Sequence, residues 1–298
     1  MAGQSEKTHS LIIKSVRGLY TVVSPDGVSG EYPARGILRK RGQEPYVGDH
    51  VYVEDGAVAE VLPRKNEIIR PPLANLDQLC FVVSMCEPQP NLRLLDKFIA
   101  VSAYKDITPL LLLTKLDLAS SEQICALYSK IGIPILPVDY SDPATLEAVR
   151  EAFRGKVSAL TGNSGAGKST LLNALDDTLE IPTGEISRKL GRGRHTTRHA
   201  QLYPLKDGGY IADTPGFSTF ETMRYAVIRK HELADCFAEF APYTADCRFQ
   251  DCSHTCEKGC AVLEAVKAGT IPKSRHESYC EMYEEAKQIK EWELEGKA

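Results

Sequence analysis

Eight residues, Gly162-Asn163-Ser164-Gly165-Ala166-Gly167-Lys168-Ser169, constrain this chain more than any other stretch. They fit the pattern G-x-x-x-x-G-K-[ST] and follow the apolar run Val157 to Leu160, so they predict a strand, a phosphate loop and a helix in that order. Glycines there let backbone N–H groups turn inward around phosphate oxygens. Lys168 can then reach the β and γ phosphates, while Ser169, with Thr170 beside it, offers its hydroxyl to Mg2+ at the helix start. Such a loop belongs to an α/β fold, a mainly parallel sheet with flanking helices, and the rest of the chain is read around it.

The 298 residues allow about two or three domains of the usual ~100–200 residues, and an apolar fraction of 43% suits packed cores. The N-terminal residues carry no apolar core of signal-peptide type, and no run of about 18 apolar residues occurs, which points to a cytoplasmic protein with no membrane partner. A net charge of −4 gives no global reason to expect a polyanion, so any nucleic-acid contact rests on local basic patches.

From Leu11 to about Ile69, short β-rich runs (Leu11-Ile12-Ile13, Tyr20 to Val23, His50 to Val53) alternate with turn signals such as Pro25-Asp26-Gly27 and Asp55-Gly56. That spacing predicts a small β-barrel. Arg35, Arg39, Lys40 and Arg41 fall between the strands near Tyr32 and Tyr46, a mixture of cations and aromatics suited to RNA, or simply a solvated basic loop.

After Arg70-Pro71-Pro72 the pattern changes to alternating strands and helices: Leu79 to Ser84, a helical Leu92 to Tyr104, then Thr108 to Leu113. The last run ends in Thr114-Lys115-Leu116-Asp117, which resembles the N-K-x-D guanine-reading motif at a strand end. A carboxylate at Asp117 can accept from both the ring N1–H and the exocyclic amino group of guanine. Adenine presents no donor at N1, so a buried charge would stay unpaired, and the site selects GTP. Thr114 departs from the usual Asn, keeping a hydroxyl and losing the amide.

Downstream, Asp213-Thr214-Pro215-Gly216 follows Tyr210-Ile211-Ala212 and matches D-x-x-G, in which the aspartate holds Mg2+ through water and the glycine N–H senses the γ-phosphate. Ordinary GTPases run phosphate loop, switch I, switch II and then N-K-x-D. Here the base motif comes first and nothing like it follows Gly216, so the expected fold is a circularly permuted GTPase, cut and rejoined at the surface. Residues Ile181 to His199 contain few apolar side chains, three glycines and five cations, and could order when Thr196 or Thr197 joins Mg2+ and the γ-phosphate. Phe217 occupies the position from which Ras-like enzymes present a water-orienting glutamine, which makes His195 the candidate to orient water.

Five of the nine cysteines crowd into one C-terminal segment. Cys247-x4-Cys252-x-His254-x5-Cys260 offers four ligands suited to a closed, structural Zn2+ tetrahedron, with Cys256 a possible substitute. Leu233 to Phe240, Ala261 to Ala268 and Ser274 to Lys297 read as helices around it, with Gly269 as a stop.

Permuted motif order, an N-terminal β-barrel, the switch I-like Gly193-Arg194-His195-Thr196-Thr197 and the Cys/His cluster together resemble the RsgA (YjeQ/YloQ) family of small-subunit-dependent GTPases. The resemblance covers nearly the whole chain. It implies an OB-fold RNA-binding domain (1–70), a circularly permuted GTPase domain (71–222) and a helical zinc-binding domain (223–298). It also implies Cys256 as a bystander and GTP/GDP with Mg2+ as ligands. The partners implied are the 30S subunit and its 16S rRNA during late maturation, with 30S assembly factors possible, and the protein acts as a monomer. The rivals are a P-loop ATPase and a non-catalytic, nucleotide-dependent RNA-binding module.

Overall fold

The computed structural model describes residues 7–69, 71–176, 201–213 and 227–289. Its N-terminal part holds β1 (Thr8–Val16), β2 (Leu19–Val23), β3 (Ser29–Pro33), a short helix α1 (Gly36–Lys40), β4 (His50–Glu54) and β5 (Ala57–Val61). These strands pair antiparallel as β3-β2-β1-β4-β5. Beyond β3, Ala34 bridges Val58 of β5, and Arg35 N–H donates to the Val58 carbonyl at 2.9 Å, so the row of strands turns back on itself. Two short strands, β6 (Glu67–Ile68) and β7 (Leu73–Ala74), then lead into the larger α/β part.

That part contains β8 (Gln78–Ser84), α2 (Leu92–Tyr104), β9 (Thr108–Thr114), α3 (Glu122–Lys130), β10 (Ile135–Pro137), α4 (Pro143–Phe153), β11 (Val157–Gly162), α5 (Lys168–Leu175), β12 (Gln201–Pro204) and β13 (Tyr210–Asp213). The strands lie in the order β10-β9-β8-β11-β13-β12; all neighbours are parallel except the antiparallel β12. Every residue of β8 is buried, as expected of a strand covered on both faces. Alternation then divides its side chains. Leu79, Phe81 and Val83 pack with Leu95, Phe98 and Tyr128 of α2 and α3, while Cys80 and Val82 face Val149, Phe153, Leu171 and Leu172 of α4 and α5. Helix starts follow their caps: the Asn91 side chain accepts from Leu94 N–H, and Asp142 accepts from Ala144 N–H with proline next in line.

β12 also pairs antiparallel with β1 at Lys14 and Gln201, making one eleven-stranded sheet of the two parts. The C-terminal part consists of 3-10 turns at Ala234–Cys236 and Ala238–Phe240, α6 (Ala241–Thr244), α7 (Ala261–Lys267) and α8 (Lys273–Lys287). Its own core, built on Phe237, Phe240, Val262, Ile271 and Tyr279, includes Ala100 and Val101 of α2. The continuous helix expected over Leu233 to Phe240 is replaced by the two turns, because Phe237 adopts φ −114°, ψ 86° between them. That break lets Phe237 and Phe240, both fully buried, enter the same core. α8 matches the expected C-terminal helix from Ser274 to Lys287 and stops there, short of the expected Lys297, with Gln288 as its C-cap.

Candidate functional site

The parallel strands all point their carboxyl ends to one edge, and there β9, β11 and β13 deliver the three sequence motifs. A crevice at that edge, where connections diverge to opposite faces, is the usual ligand position in such sheets. β11 ends at Gly162, whose φ of +143° and close approach to β8 leave no room for a side chain: a Cβ would stand 2.5 Å from the Val82 carbonyl oxygen. Gly167 caps α5 in the left-handed region at φ +96°. The loop thus wraps toward the N-terminus of α5, a place where backbone N–H groups and the helix dipole favour an anion. Lys168 Nζ donates to the carbonyls of Gly162 and Asn163 at 2.6 and 2.8 Å, which holds its ammonium over the loop.

Thr114, Lys115 and Asp117 come to the same edge from β9. The Thr114 hydroxyl, fully buried, donates to the Ala166 carbonyl at 2.7 Å, tying the base-motif strand directly to the phosphate loop. Lys115 takes a positive φ of 58°, and its ammonium donates to the Glu87 carbonyl in the loop before α2. Asp117 is exposed to solvent. Tyr140, just past β10, escaped the sequence reading. A Cβ placed on Gly167 would lie 3.7 Å from its hydroxyl and 3.8 Å from Thr114 Oγ1, and burial pushes its phenol up to about 12. Its position after an apolar strand run in a parallel sheet was the available signal.

Asp213 ends β13 beside Leu160 of β11, so its backbone stands one strand from the loop. Its side chain, together with Gly216, Phe217, His195, Thr196 and Thr197, lies outside the described residues.

The second candidate centre is the cysteine cluster. Cys247, Cys252, His254 and Cys260 place their ligand atoms within 4.8 Å of one another. Cys247 Sγ lies 3.8 Å from Cys260 Sγ, and the two sulfurs lie 3.6 and 3.5 Å from His254 Nδ1. A zinc tetrahedron with Zn–S of about 2.3 Å and Zn–N of about 2.0–2.1 Å requires edges of about 3.8 and 3.6 Å, so these residues fit the ion. Burial lowers the His254 pKa, favouring the neutral imidazole that binds metal, and pushes the Cys252 thiol up to about 12. α8 steadies the loop from behind: the His254 carbonyl accepts from His276 Nε2 at 2.7 Å, and Tyr279 donates to the Ser253 carbonyl at 2.8 Å. Cys256 is exposed and stands outside the cluster.

A phosphate loop on the central strand of this sheet, with the base motif on a strand that precedes it in sequence, defines a circularly permuted P-loop GTPase. The sequence model of the RsgA GTPase family matches residues 61–223. "Small ribosomal subunit biogenesis GTPase RsgA" of Alkaliphilus metalliredigens is 41% identical over 286 residues, covering 93% of this chain and 97% of that protein. Its counterpart in Enterococcus faecalis is 42% identical over 279 residues, 90% of this chain and 92% of that one. The chain belongs to the RsgA GTPase family and is a GTP-hydrolysing enzyme. Among solved structures, YjeQ from Thermotoga maritima superposes with a TM-score of 0.81 at 30% identity, covering 96% of this chain and all of that one. YloQ, described as a circularly permuted GTPase, gives 0.79 at 31% identity over 97% and 98% of the two chains.

Proposed function

We propose that this GTPase acts on the small ribosomal subunit, binding it through 16S rRNA late in its maturation and hydrolysing GTP in response. The observation that carries the nucleotide half of this reading is the 2.7 Å bond from Thr114 to Ala166, which joins the base motif to the phosphate loop despite their inverted order. The names of the relatives support the ribosomal half.

In this reading the loop from Gly162 through Gly167 cradles phosphate. Lys168 and Thr170 hold the phosphates, Ser169 ligates Mg2+, and Asp117 selects guanine with help from Thr114 and Lys115. Asp213 holds Mg2+ through water, the Gly216 N–H senses the γ-phosphate, Thr196 or Thr197 joins the magnesium, and His195 orients the attacking water. Residues 1–70 form the RNA-binding OB-fold, supported by five antiparallel strands that close through the Ala34–Val58 bridge. Residues 71–222 are the GTPase domain, and 223–298 are the helical domain organised by Zn2+. Cytoplasmic location fits this role, and among the described residues no helix is long and apolar enough to cross a membrane.

The test is GTP and ATP turnover with and without purified 30S and 50S subunits. Stimulation should be confined to GTP and to 30S, and His195→Ala should lower the stimulated kcat by at least ~10-fold with GTP affinity unchanged. Equal stimulation by 50S subunits would sink the ribosomal assignment, and retained turnover in the variant would remove His195 from catalysis.

A further inference from the structure

The basic patch read from the sequence is partly committed within the protein, through Arg35 and Tyr46. Arg35 is clamped by Glu54 and Asp55 at 2.7 and 2.8 Å. Tyr46 lies under Arg64, 4.0 Å from guanidinium carbon to ring centroid, and Arg64 is itself bound to Asp49 at 2.8 Å. The cations left exposed there are Arg39, Lys40 and Arg41 around α1, and among the described residues none of them stands over an aromatic ring.

A different aromatic surface lies on the opposite face of β1 and β4. Ser10, Ile12, Val51 and Val53 point into the core, so alternation turns His9, His50 and Tyr52 outward. The imidazoles of His9 and His50 stack with centroids 5.2 Å apart and planes within 7°. The Tyr52 ring meets His9 edge-on at 6.1 Å, and Lys7 Nζ sits 5.6 Å from the Tyr52 centroid. Both histidines are exposed. Partial burial and the neighbouring His9 lower the His50 pKa, which favours its neutral form. Parallel rings aim their nitrogen lone pairs in parallel planes, which suits stacking and not chelation of one metal ion. Among the described residues the ion pair of Lys7 is with Glu60 at 3.4 Å, both exposed, a contact weak enough to release the ammonium to a phosphate.

We propose that His9, His50 and Tyr52 form a platform for unpaired RNA bases, with Lys7 meeting the backbone beside them. The inference rests on the ribosomal reading above and specifies where the N-terminal strands touch RNA. Unpaired bases are the fitting occupant because exposed flat rings with one adjacent cation bind π-faces, which A-form helices keep stacked and hidden.

The test uses the full chain, its nucleotide and two probes: purified small subunits and a labelled single-stranded RNA. His9→Ala/His50→Ala should weaken binding to both by at least about fivefold, the low side of a base–aromatic stack, while basal GTP turnover stays at wild type. His9→Phe/His50→Phe restores flat rings without nitrogen and should retain affinity. The salt dependence of binding should not change, since no phosphate contact is removed.

Wild-type affinity in the alanine variant overturns the proposal, as does loss in the phenylalanine variant. Weakened subunit binding with unaltered RNA binding would mean that this face meets a ribosomal protein, and also overturns it. Should the wild-type chain fail to bind small subunits at all, the ribosomal reading falls, and the single-stranded RNA arm still decides the platform.

Discussion

Thr114 carries a hydroxyl where the guanine-reading loops of GTPases usually carry an amide, and the exchange changes what this strand end can do. A hydroxyl has one proton, and Thr114 gives it to the Ala166 carbonyl, so the residue ties the loop and has no second donor for the base edge. Base selection then falls more heavily on Asp117. Replacing it, as Asp117→Asn, exchanges a double acceptor for an amide with one acceptor and one donor face. Guanine affinity should fall by about 100-fold, within the range for losing charge-assisted hydrogen bonds, and xanthine nucleotides should gain. Nucleotide competition binding measures both, and unchanged GTP preference would remove Asp117 from the base site. The identity of these residues was legible because motif spacing is local. The bond from Thr114 to Ala166 was not, since it spans elements that meet only once β8 has placed β9 and β11 on its two sides.

Among the described elements, α2 and α8 join the parallel sheet to the C-terminal part through a buried ion network. Arg275 on α8 is fully buried, and its guanidinium bonds Asp96 of α2 at 2.9 Å and both oxygens of Glu239 at 2.7 and 3.3 Å, lying 4.4 Å over Phe237. Tyr128 donates to the same Asp96 oxygen at 2.8 Å, and its phenol is pushed far up by burial and by that carboxylate. At the rim, Lys97 pairs with Glu285 at 2.7 Å.

Breaking a buried pair from one side costs more than the pair contributes, because the partner charges stay behind. Arg275→Met should therefore destabilise the protein by about 3–5 kcal/mol in urea unfolding, with local loosening of residues 227–240 first. A loss under about 1 kcal/mol, the ordinary surface-pair value, would mean that the network carries no weight. None of this was legible beforehand, since Asp96 and Arg275 look like ordinary helix-surface charges in sequence. Strands rich in Val, Ile and Leu were readable from their runs. Ser29–Pro33 was not, because glycine and proline hide an edge strand, and Gln201–Pro204 was not, because it is short and half polar.

At the scale of the whole molecule, permutation places the parts in series. α4 runs into β11 through Arg154, Gly155 and Lys156, and the chain after β13 leads on to the cysteine cluster. Nucleotide exchange should therefore be felt beyond the GTPase sheet. Hydrogen exchange across residues 227–240 should differ between the GDP and GTP-analogue complexes, and identical protection would remove the coupling. The order of motifs made the permuted sheet legible, while the fusion of both sheets through Lys14 and Gln201 involves too short a contact to leave a pattern.

The join at Lys14 and Gln201 also bears on how the protein is made. β1 leaves the ribosome before β12, and the partner of Lys14 follows it by roughly 190 residues, about 10–40 s at about 5–20 residues per second. Through that interval the end of β1 waits with an unpaired edge, and the lysine placed there carries the charge that discourages a second nascent chain from adding to it.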